Sequence, residues 1–248
     1  MYTLKKSLGQ HFLKDENISR KIVAELEPVQ QLLEVGPGGG ALTKYLLDLD
    51  GIDFKAVELD DEKVNYLLTQ YPGLKDRIIH KSFLDIEKPF NGPFTVIGNF
   101  PYNISSQILF KVLEWKEDIE CMIGMFQKEM AQRVAAKEGS KVYGVTSVLT
   151  QAFFDVEYLF DVQEGSFNPP PKVKSGVIRL LPSKNTPAMR SEKDFFLLVK
   201  TAFNQRRKTL RNAIRSLFDA TMLGDELFNQ RAEQLTVEQF ASLTFKMK

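Results

Sequence analysis

The feature that most constrains the fold of this chain is a run of glycines between an apolar segment and a helical pattern. Leu32-Leu33-Glu34-Val35 is a mostly apolar segment that suits a buried strand, and it stops at Gly36-Pro37-Gly38-Gly39-Gly40. The spacing of one helix face then resumes with Leu42, Tyr45, Leu46 and Leu49. A strand that passes through glycines directly into a helix is typical of the first unit of a parallel α/β sheet.

The same alternation of strand and helix repeats along the chain. Further strands are predicted at residues 54–59, 78–79, 94–97 and 121–126. Amphipathic helices are predicted at 16–27, after Asp60, after Ser105 or Ser106, and from about Lys128. This order of elements predicts a mostly parallel, doubly wound sheet. Two late strands, at 156–160 and 177–181, have no obvious helix between them and predict an antiparallel hairpin at one edge.

A change of pattern marks a second domain. The polar, proline-containing segment 183–191 separates the sheet from a purely helical region, so we predict domains at 1–185 and 186–248. The net charge of the chain is only +1, which gives no global reason for a polyanionic partner. The stretch 195–218, however, has no acidic residue and contains the basic residues Lys200, Arg206, Arg207, Lys208, Arg211 and Arg215.

The composition excludes several classes of protein and site. The single cysteine, Cys121, excludes a disulfide framework and a cysteine-based zinc cluster. Two histidines leave little for a histidine-rich metal site, so no metal is expected. No apolar run approaches the roughly 20 residues of a membrane span, and the N-terminal residues lack the features of a secretory signal. We therefore expect a cytoplasmic protein that has no membrane partner.

The glycine run also predicts a ligand. Gly36-x-Gly38-x-x-Ala41 satisfies the dinucleotide pattern, and Glu58 ends the second strand, where a carboxylate can accept hydrogen bonds from a ribose diol. These features fit a nicotinamide dinucleotide or S-adenosylmethionine, with a plain glycine turn and a surface acid as the alternative. Glu34 favours the methyl donor, because a carboxylate offsets a cationic sulfonium and repels a pyrophosphate.

A second loop is predicted to open on the same crevice. Asn99-Phe100-Pro101-Tyr102 follows the strand at 94–97, which should neighbour the first strand at the topological switch point. Pro101 fixes the turn and leaves carbonyls facing the crevice, Asn99 offers an acceptor oxygen, and Tyr102 offers a flat face. Together these groups suit a planar substrate that carries an NH2 group. A proline turn that merely ends a strand is the alternative.

The order and spacing of several motifs make the chain resemble the ribosomal small-subunit RNA adenine dimethyltransferase family. The matching segments are Ser7-Leu8-Gly9-Gln10-His11-Phe12-Leu13, Val35-Gly36-Pro37-Gly38, Asn99-Phe100-Pro101-Tyr102-Asn103-Ile104-Ser105, Phe167-Asn168-Pro169-Pro170-Pro171-Lys172-Val173 and Phe203-Asn204-Gln205-Arg206-Arg207-Lys208. The resemblance implies a Rossmann-like S-adenosylmethionine-dependent methyltransferase sheet with an antiparallel edge hairpin, plus a small all-helical C-terminal domain. It also implies dimethylation at N6 of two adjacent adenosines in a hairpin loop near the 3′ end of small-subunit ribosomal RNA.

The resemblance assigns roles to individual residues. It places S-adenosylmethionine against His11, Leu13, Gly36, Glu58, Ser82 and Asn99. His11 stands where many members have Asn. Ser82 stands where many members have an acid that touches the adenine amino group of the cofactor, and Asp85 is the alternative contact.

At the reacting centre, Asn99 and the carbonyl of Pro101 are expected to accept the hydrogens of the adenine amine. Tyr102 is expected to lie on one face of the target base. Phe167, beside stiff prolines, is predicted to stack on the other face, and the alternative is that it is a core residue.

The basic stretch is the candidate RNA surface. If residues 206–217 form a helix, Arg207, Arg211 and Arg215 share one face, and the predicted RNA-binding residues are Arg206, Arg207, Lys208 and Arg211. The predicted partners are small-subunit ribosomal RNA and the pre-ribosomal small subunit, with the protein as a monomer. The alternatives are a large-subunit RNA adenine methyltransferase, a glutamine or DNA-adenine methyltransferase, and a ribosome-assembly factor whose methylation is secondary.

Overall fold

Strands and helices alternate along the chain as the sequence predicts. The computed structural model describes residues 11–248. The strands are Phe12–Leu13 (β1), Gln31–Val35 (β2), Asp53–Glu58 (β3), Ile78–His80 (β4), Phe94–Asn99 (β5), Ile119–Gln127 (β6), Phe154–Val162 (β7), Phe167–Asn168 (β8) and Ser175–Pro182 (β9). The α-helices are Glu16–Val23 (α1), Thr43–Leu46 (α2), Asp61–Gln70 (α3), Ser105–Glu114 (α4), Lys128–Val134 (α5), Val145–Gln151 (α6), Glu192–Asn204 (α7), Leu210–Ala213 (α8) and Val237–Thr244 (α9).

The sheet has the predicted doubly wound order. Within residues 11–248, seven strands pair in the order β4-β3-β2-β5-β6-β9-β7. Strand β2 pairs in parallel with β3 on one side and with β5 on the other. The two strands that precede the glycine loop and the Asn99 loop are therefore neighbours at the topological switch point, and this prediction is confirmed. Toward the far edge β9 runs antiparallel to β6, with β7 as the outermost strand beside β9, so the sheet is mixed as predicted.

A separate two-stranded ladder joins β1 to a segment that lies far along the chain. Strand β1 pairs antiparallel with β8, with Phe12 opposite Asn168 and Leu13 opposite Phe167. The backbone N–H of Lys14 extends this pairing by donating to the carbonyl of Ser166 at 2.9 Å. This pairing fixes the backbone at Phe12 and Leu13, directly after His11.

Local side-chain signals explain where the helices begin. Asp60, the predicted N-cap of α3, accepts a hydrogen bond from the backbone N–H of Glu62 at 2.9 Å. Asp15 caps α1 in the same way through the N–H groups of Asn17 and Ile18.

The central strand β2 is held by its apolar side chains, because Leu32 and Leu33 are fully buried. Burying each such leucine contributes roughly 1.5–3 kcal/mol, which anchors β2 at the centre of the sheet.

The structure divides into two units. One contains the chain up to Ala131 together with Glu157–Pro182, and the other contains Gln132–Val156 with Ser183–Lys248. The predicted boundary between 185 and 186 falls near the junction at Pro182, but it assigns Gln132–Val156 to the sheet domain. The structure places this segment with the C-terminal helices instead. The physical reason is aromatic packing within that unit, where the ring of Phe153 meets the ring of Phe195 edge-on at 6.5 Å.

The second unit packs its helices around aromatic side chains. The rings of Phe203 on α7 and Phe240 on α9 lie 5.9 Å apart, and Tyr143 meets Phe203 at 6.1 Å. The predicted all-helical character of the C-terminal region therefore agrees with the elements found after Pro182.

In the part of the chain that the structure describes, no helix is both long enough and apolar enough to cross a membrane.

Candidate active site

The glycine loop after β2 has a backbone that requires glycine. Gly36 and Gly38 have φ angles of 68° and 54°, in the left-handed region that side chains disfavour. A Cβ atom on Gly38 would also lie 2.9 Å from the ring of Phe12. The loop therefore leaves backbone exposed to a ligand at the point where helix α2 is about to begin.

Glu58 ties the glycine loop to the end of β3. One carboxylate oxygen accepts the N–H of Gly38 at 3.1 Å, and the other accepts the N–H groups of Leu59 and Asp60 at 2.9 and 3.0 Å. A carboxylate has about four acceptor sites, so these backbone donors leave room for a hydroxyl group. Glu58 is thus both a support for the loop and a candidate acceptor for a ribose diol.

Glu34 is a buried carboxyl group in the wall of the same cavity. Only 1% of its surface is exposed, and its carboxylate accepts the hydroxyl of Thr43 at 2.7 Å. Burial raises the pKa of Glu34 to about 8, because the charged form loses solvation and the hydrogen bonds from the hydroxyl and backbone of Thr43 compensate only in part. The group therefore holds a proton at neutral pH unless a cation comes close.

These residues line a cavity of about 500 Å³. Its wall is formed by residues 11–14, 34–42, 57–59, 81–84 and 99–104, together with a few side chains from helices α1, α2 and α3. The structure brings all the predicted cofactor residues together in this wall, namely His11, Leu13, Gly36, Glu58, Ser82 and Asn99. The open glycine backbone, the acceptor at Glu58 and the volume of the cavity fit S-adenosylmethionine.

Several residues of this wall are not among the predicted site residues, and Leu59 is the most exposed large apolar one of them. Leu59 lies in the cavity with 53% of its surface exposed, directly after Glu58. An exposed large apolar side chain in a cavity suits the flat face of a purine. Leu59 could have been predicted from the sequence because it directly follows Glu58, and a base binds beside its own ribose.

Ser82 lies at the cavity, whereas its proposed substitute Asp85 does not. The hydroxyl of Ser82 accepts the N–H of Leu84 at 3.2 Å and caps the short 3-10 helix Phe83–Asp85. Asp85 is exposed and is not part of the cavity wall. Of the two candidates for the contact with the cofactor adenine, the structure favours Ser82.

A pair of glycines shapes the corner that carries Asn99. Gly98 of β5 pairs with Gly124 of β6, and the buried ring of Phe100 lies over both. A Cβ atom on Gly124 would overlap that ring, and one on Gly98 would lie 2.8 Å from it. The N–H of Phe100 also donates to the carbonyl of Met125 at 3.1 Å. The ring therefore fills the space that the glycines leave, and the chain turns so that Asn99 and Pro101 reach the cavity wall.

The amide of Asn99 has a defined orientation. Its Nδ2 atom donates to the backbone carbonyl of His11 at 3.2 Å. Because a carbonyl only accepts, the NH2 group must face His11. No hydrogen bond to the Oδ1 atom of Asn99 is found among the described residues. The acceptor oxygen is therefore available to a donor in the cavity, such as an exocyclic amine.

The neighbouring groups of the loop are more constrained. The carbonyl of Pro101 already accepts the N–H of Ile104 and the hydroxyl of Ser105, both at 3.3 Å. The hydroxyl of Tyr102 shares a hydrogen bond of 2.6 Å with Ser175, and burial raises the pKa of Tyr102. Tyr102 therefore stays neutral near pH 7 and offers its ring, not a charge, to the site.

Phe167 is not at the cavity, so its predicted stacking role needs correction. Only 1% of its surface is exposed, and it belongs to the hydrophobic core that includes Leu13 and Val177. Pairing of β8 with β1 places Phe167 opposite Leu13 and turns its ring inward. The structure favours the alternative that Phe167 is a core residue.

The basic stretch departs from the predicted helix over 206–217. Helix α8 spans only Leu210–Ala213, because the N–H of Leu210 donates to the carbonyl of Gln230 instead of continuing a helix from Arg206. Arg206 pairs with Glu233 at 3.0 Å and donates to the carbonyl of Lys141 at 2.6 Å. Part of its guanidinium is therefore used within the unit, which leaves Arg206 less available to a phosphate than its exposed neighbours.

The other predicted RNA-binding residues remain available. Arg207, Lys208 and Arg211 are exposed, and among residues 11–248 none of them forms an ion pair. A shallow depression is formed by Gln205, Lys208, Asn212 and Arg215. Arg215, which the RNA-binding set omits, therefore shares a surface with Lys208.

Known proteins of similar sequence cover nearly the whole chain. Two relatives bear the name ribosomal RNA small subunit methyltransferase A. The protein from Cytophaga hutchinsonii is 52% identical and covers 97% of this chain and 95% of its own length. The protein from Parabacteroides distasonis is 53% identical and covers 97% of this chain and 92% of its own length.

Solved structures share the fold. A dimethyladenosine transferase from Plasmodium falciparum superimposes with a TM-score of 0.79 at 24% identity, over 94% of this chain and 96% of that one. The 23S rRNA methyltransferase ErmE superimposes with a TM-score of 0.70 at 24% identity, over 94% and 99%. At this identity the likeness establishes the α/β fold alone. The sequence match to the family model described as ribosomal RNA adenine dimethylase extends over residues 1–246, and the chain therefore belongs to that family.

Proposed function

We propose that this chain transfers methyl groups from S-adenosylmethionine to N6 of two adjacent adenosines in the 3′-terminal hairpin loop of small-subunit ribosomal RNA. The observation that carries the proposal is the Oδ1 atom of Asn99, an acceptor left available in the wall of a cavity that fits the cofactor. The names of the relatives that are 52% and 53% identical support the small subunit as the source of the substrate.

The residues of the loop suit an amine that is a poor nucleophile. The lone pair of the adenine amino group is delocalised into the ring, and the base must leave its stack to reach the cavity. Asn99 accepts one hydrogen of the amine. The Pro101 carbonyl accepts the other when the substrate displaces the hydrogen bonds from Ile104 and Ser105, which are both 3.3 Å long. Tyr102 supports one face of the base. When bound, S-adenosylmethionine supplies an electrophilic methyl group.

Catalysis by these residues consists of orientation and electrostatics. The side chain of Asn99 does not titrate, so it does not act as a general base. Accepting the amine hydrogens moves the nitrogen toward tetrahedral geometry and frees its lone pair. The nitrogen is positively charged after it takes the methyl group, and it then releases a proton to solvent.

We also propose the partner of the protein, its oligomeric state and its location. The protein acts as a monomer on the pre-ribosomal small subunit in the cytoplasm, and Arg207, Lys208 and Arg211 contact RNA phosphates. The alternative of a large-subunit substrate rests on likeness of fold to ErmE at 24% identity. The much higher identity to small-subunit methyltransferases favours the small subunit.

The test is a labelled-methyl transfer assay with matched substrates. Small subunits from cells that lack the modification should accept label, with two dimethylated adenosines found by mass spectrometry. Large subunits, duplex DNA and release factor should accept none. Label on large subunits alone would move the assignment to the rival RNA. Rescue of subunit assembly by the folded variant Asn99→Ala would instead favour a role as an assembly factor.

A further inference from the structure

His11 lies where three segments of the site meet. Its backbone carbonyl accepts the Nδ2–H of Asn99 at 3.2 Å. Its imidazole Nδ1 lies 2.9 Å from the carbonyl of Pro169, in the loop after β8. Its ring stacks on Tyr102, with centroids 5.5 Å apart and planes inclined by 29°. One residue therefore touches both groups that are proposed to handle the target base.

The contact with Pro169 fixes the position of one hydrogen on the imidazole of His11. A carbonyl oxygen only accepts hydrogen bonds, so the Nδ1 atom of His11 must carry a hydrogen and donate to Pro169. This bond holds the side chain against the loop that follows β8. The ladder between Phe12 and Asn168 holds the backbone at the next residue. The His11 carbonyl is thus held from two sides.

The position of that carbonyl decides how Asn99 presents its amide. If the carbonyl moves away, the side-chain amide of Asn99 loses the bond that holds its NH2 group against His11. Either the oxygen or the nitrogen of the amide can then face the cavity. A nitrogen that faces the amine of a substrate offers a donor where an acceptor is needed.

Tyr102 is held in a similar way at two points. Its hydroxyl bonds to Ser175, and one side of its ring stacks on the imidazole of His11. Loss of the imidazole leaves the ring free to tilt about its hydroxyl anchor. A tilted ring no longer presents a fixed plane to a base.

We infer that His11 is a positioning residue for the reacting amine, which acts through the amide of Asn99 and the ring of Tyr102. This role differs from the cofactor contact that the resemblance implies for this position. The inference rests on the proposed function for its effect on the reaction rate. Its effect on the geometry of Asn99 does not depend on what the substrate is.

Two variants separate the two contacts of the side chain. In His11→Asn, the Nδ2 atom is as many bonds from the backbone as Nδ1 of histidine, so the donor to Pro169 is kept and the stacked ring is lost. In His11→Phe, the ring is kept and the donor is lost. The backbone carbonyl is present in both variants. A change in the Asn99 amide therefore arises from the position of that carbonyl, whereas a change at Tyr102 arises from the lost ring.

The rate of the methyl-transfer step should respond differently in the two variants. Single-turnover transfer to unmethylated small subunits should fall about 2- to 10-fold in His11→Asn, as expected for one lost ring pair. It should fall roughly 10- to 100-fold in His11→Phe, as expected when a reacting group is misplaced by an ångström or less. The affinity for S-adenosylmethionine is measured by calorimetry in parallel, and the rates are compared at saturating cofactor, so that a cofactor contact of His11 does not enter the comparison.

The geometry has its own readout in the side-chain amide signals of Asn99. In protein labelled with ¹⁵N-asparagine, the signal of Asn99 is the one that disappears in Asn99→Asp. Its NH2 protons should shift toward the values of an unbonded amide in His11→Phe and should stay near the wild-type values in His11→Asn. This measurement requires only that the variants fold, which circular dichroism checks.

Several outcomes would overturn the inference. Equal rates in wild type and His11→Phe would do so, as would an unchanged Asn99 signal in that variant. A loss confined to cofactor affinity, with a wild-type rate at saturating cofactor, would make His11 a cofactor contact instead. If the wild-type protein transfers no methyl group to small subunits, the proposed function fails and the Asn99 signal alone decides the role of His11.

Discussion

Glu34 shows how burial sets the charge of a single group at this site. Its pKa is raised to about 8 in the folded protein, above the ordinary value of a carboxyl group. The folded state therefore binds more protons than the unfolded state between about pH 4.5 and pH 8. Stability is fully present below this window and is lost as pH rises through it, with a slope of up to about 1.4 kcal/mol per pH unit.

The variant Glu34→Gln tests whether the protonation of Glu34 makes the stability of the folded protein depend on pH. Glutamine keeps an oxygen that can accept the hydroxyl of Thr43, but it cannot ionise. The free energy of unfolding of the wild type should fall between pH 6 and pH 8.5, whereas that of the variant should change less. Urea titrations at both pH values measure the difference. Parallel decreases in both proteins would show that Glu34 is ionised at neutral pH.

Ser82 allows a gain-of-affinity test at the same scale. Replacing it with Asp restores the acid that many family members carry and keeps a side chain that can cap Phe83–Asp85. A charged hydrogen bond to the adenine amino group contributes about 1.5–3 kcal/mol, so calorimetry should show roughly 10- to 150-fold tighter binding of S-adenosylmethionine. The matched control is Asp85→Ser, which should leave affinity unchanged. Weaker binding by Ser82→Asp would place the adenine elsewhere.

At the scale of elements, the glycine pair between β5 and β6 links packing to the site. A methyl group on Gly124 overlaps the rings of Phe100 and Phe126, so Gly124→Ala should cost about 1–3 kcal/mol of stability. It should also slow methyl transfer, because the displaced ring moves Asn99. The double variant Gly124→Ala/Phe100→Leu should recover part of both losses. If stability recovers and the rate does not, the ring has no role in placing Asn99.

The elements also show what could be predicted from the sequence. The strand, glycine loop and helix around Gly36 were predictable because their signals are local and repeat along the chain. The places of Phe167 and Arg206 were not, because each depends on a partner distant in the sequence. Pairing of β1 with β8 turns Phe167 into the core, and Glu233 engages Arg206. The segment Gln132–Val156 is a similar case, since only its packing against α7 shows which unit it joins.

At the scale of the whole molecule, RNA affinity should come from phosphate contacts that carry no sequence information. Replacing Arg207, Lys208 and Arg211 with Gln should flatten the salt dependence of RNA binding by about 2–3 units of log–log slope, at ~0.7–0.9 per lost contact. Affinity for S-adenosylmethionine should stay the same. The matched control, Arg206→Gln, should lower stability and leave the salt slope near that of wild type. Equal slopes for the triple variant and wild type would place the RNA surface elsewhere.

In the whole molecule, Asn99 is proposed to orient the reacting amine and to supply no affinity for RNA. The most direct measurement is single-turnover methyl transfer to unmethylated small subunits by the variant Asn99→Ala, with small-subunit binding measured in parallel. Loss of a preorganised polar contact to the reacting group should slow transfer by roughly 100- to 1,000-fold, while binding of the subunit stays the same. Transfer within a few-fold of the wild-type rate would contradict the account.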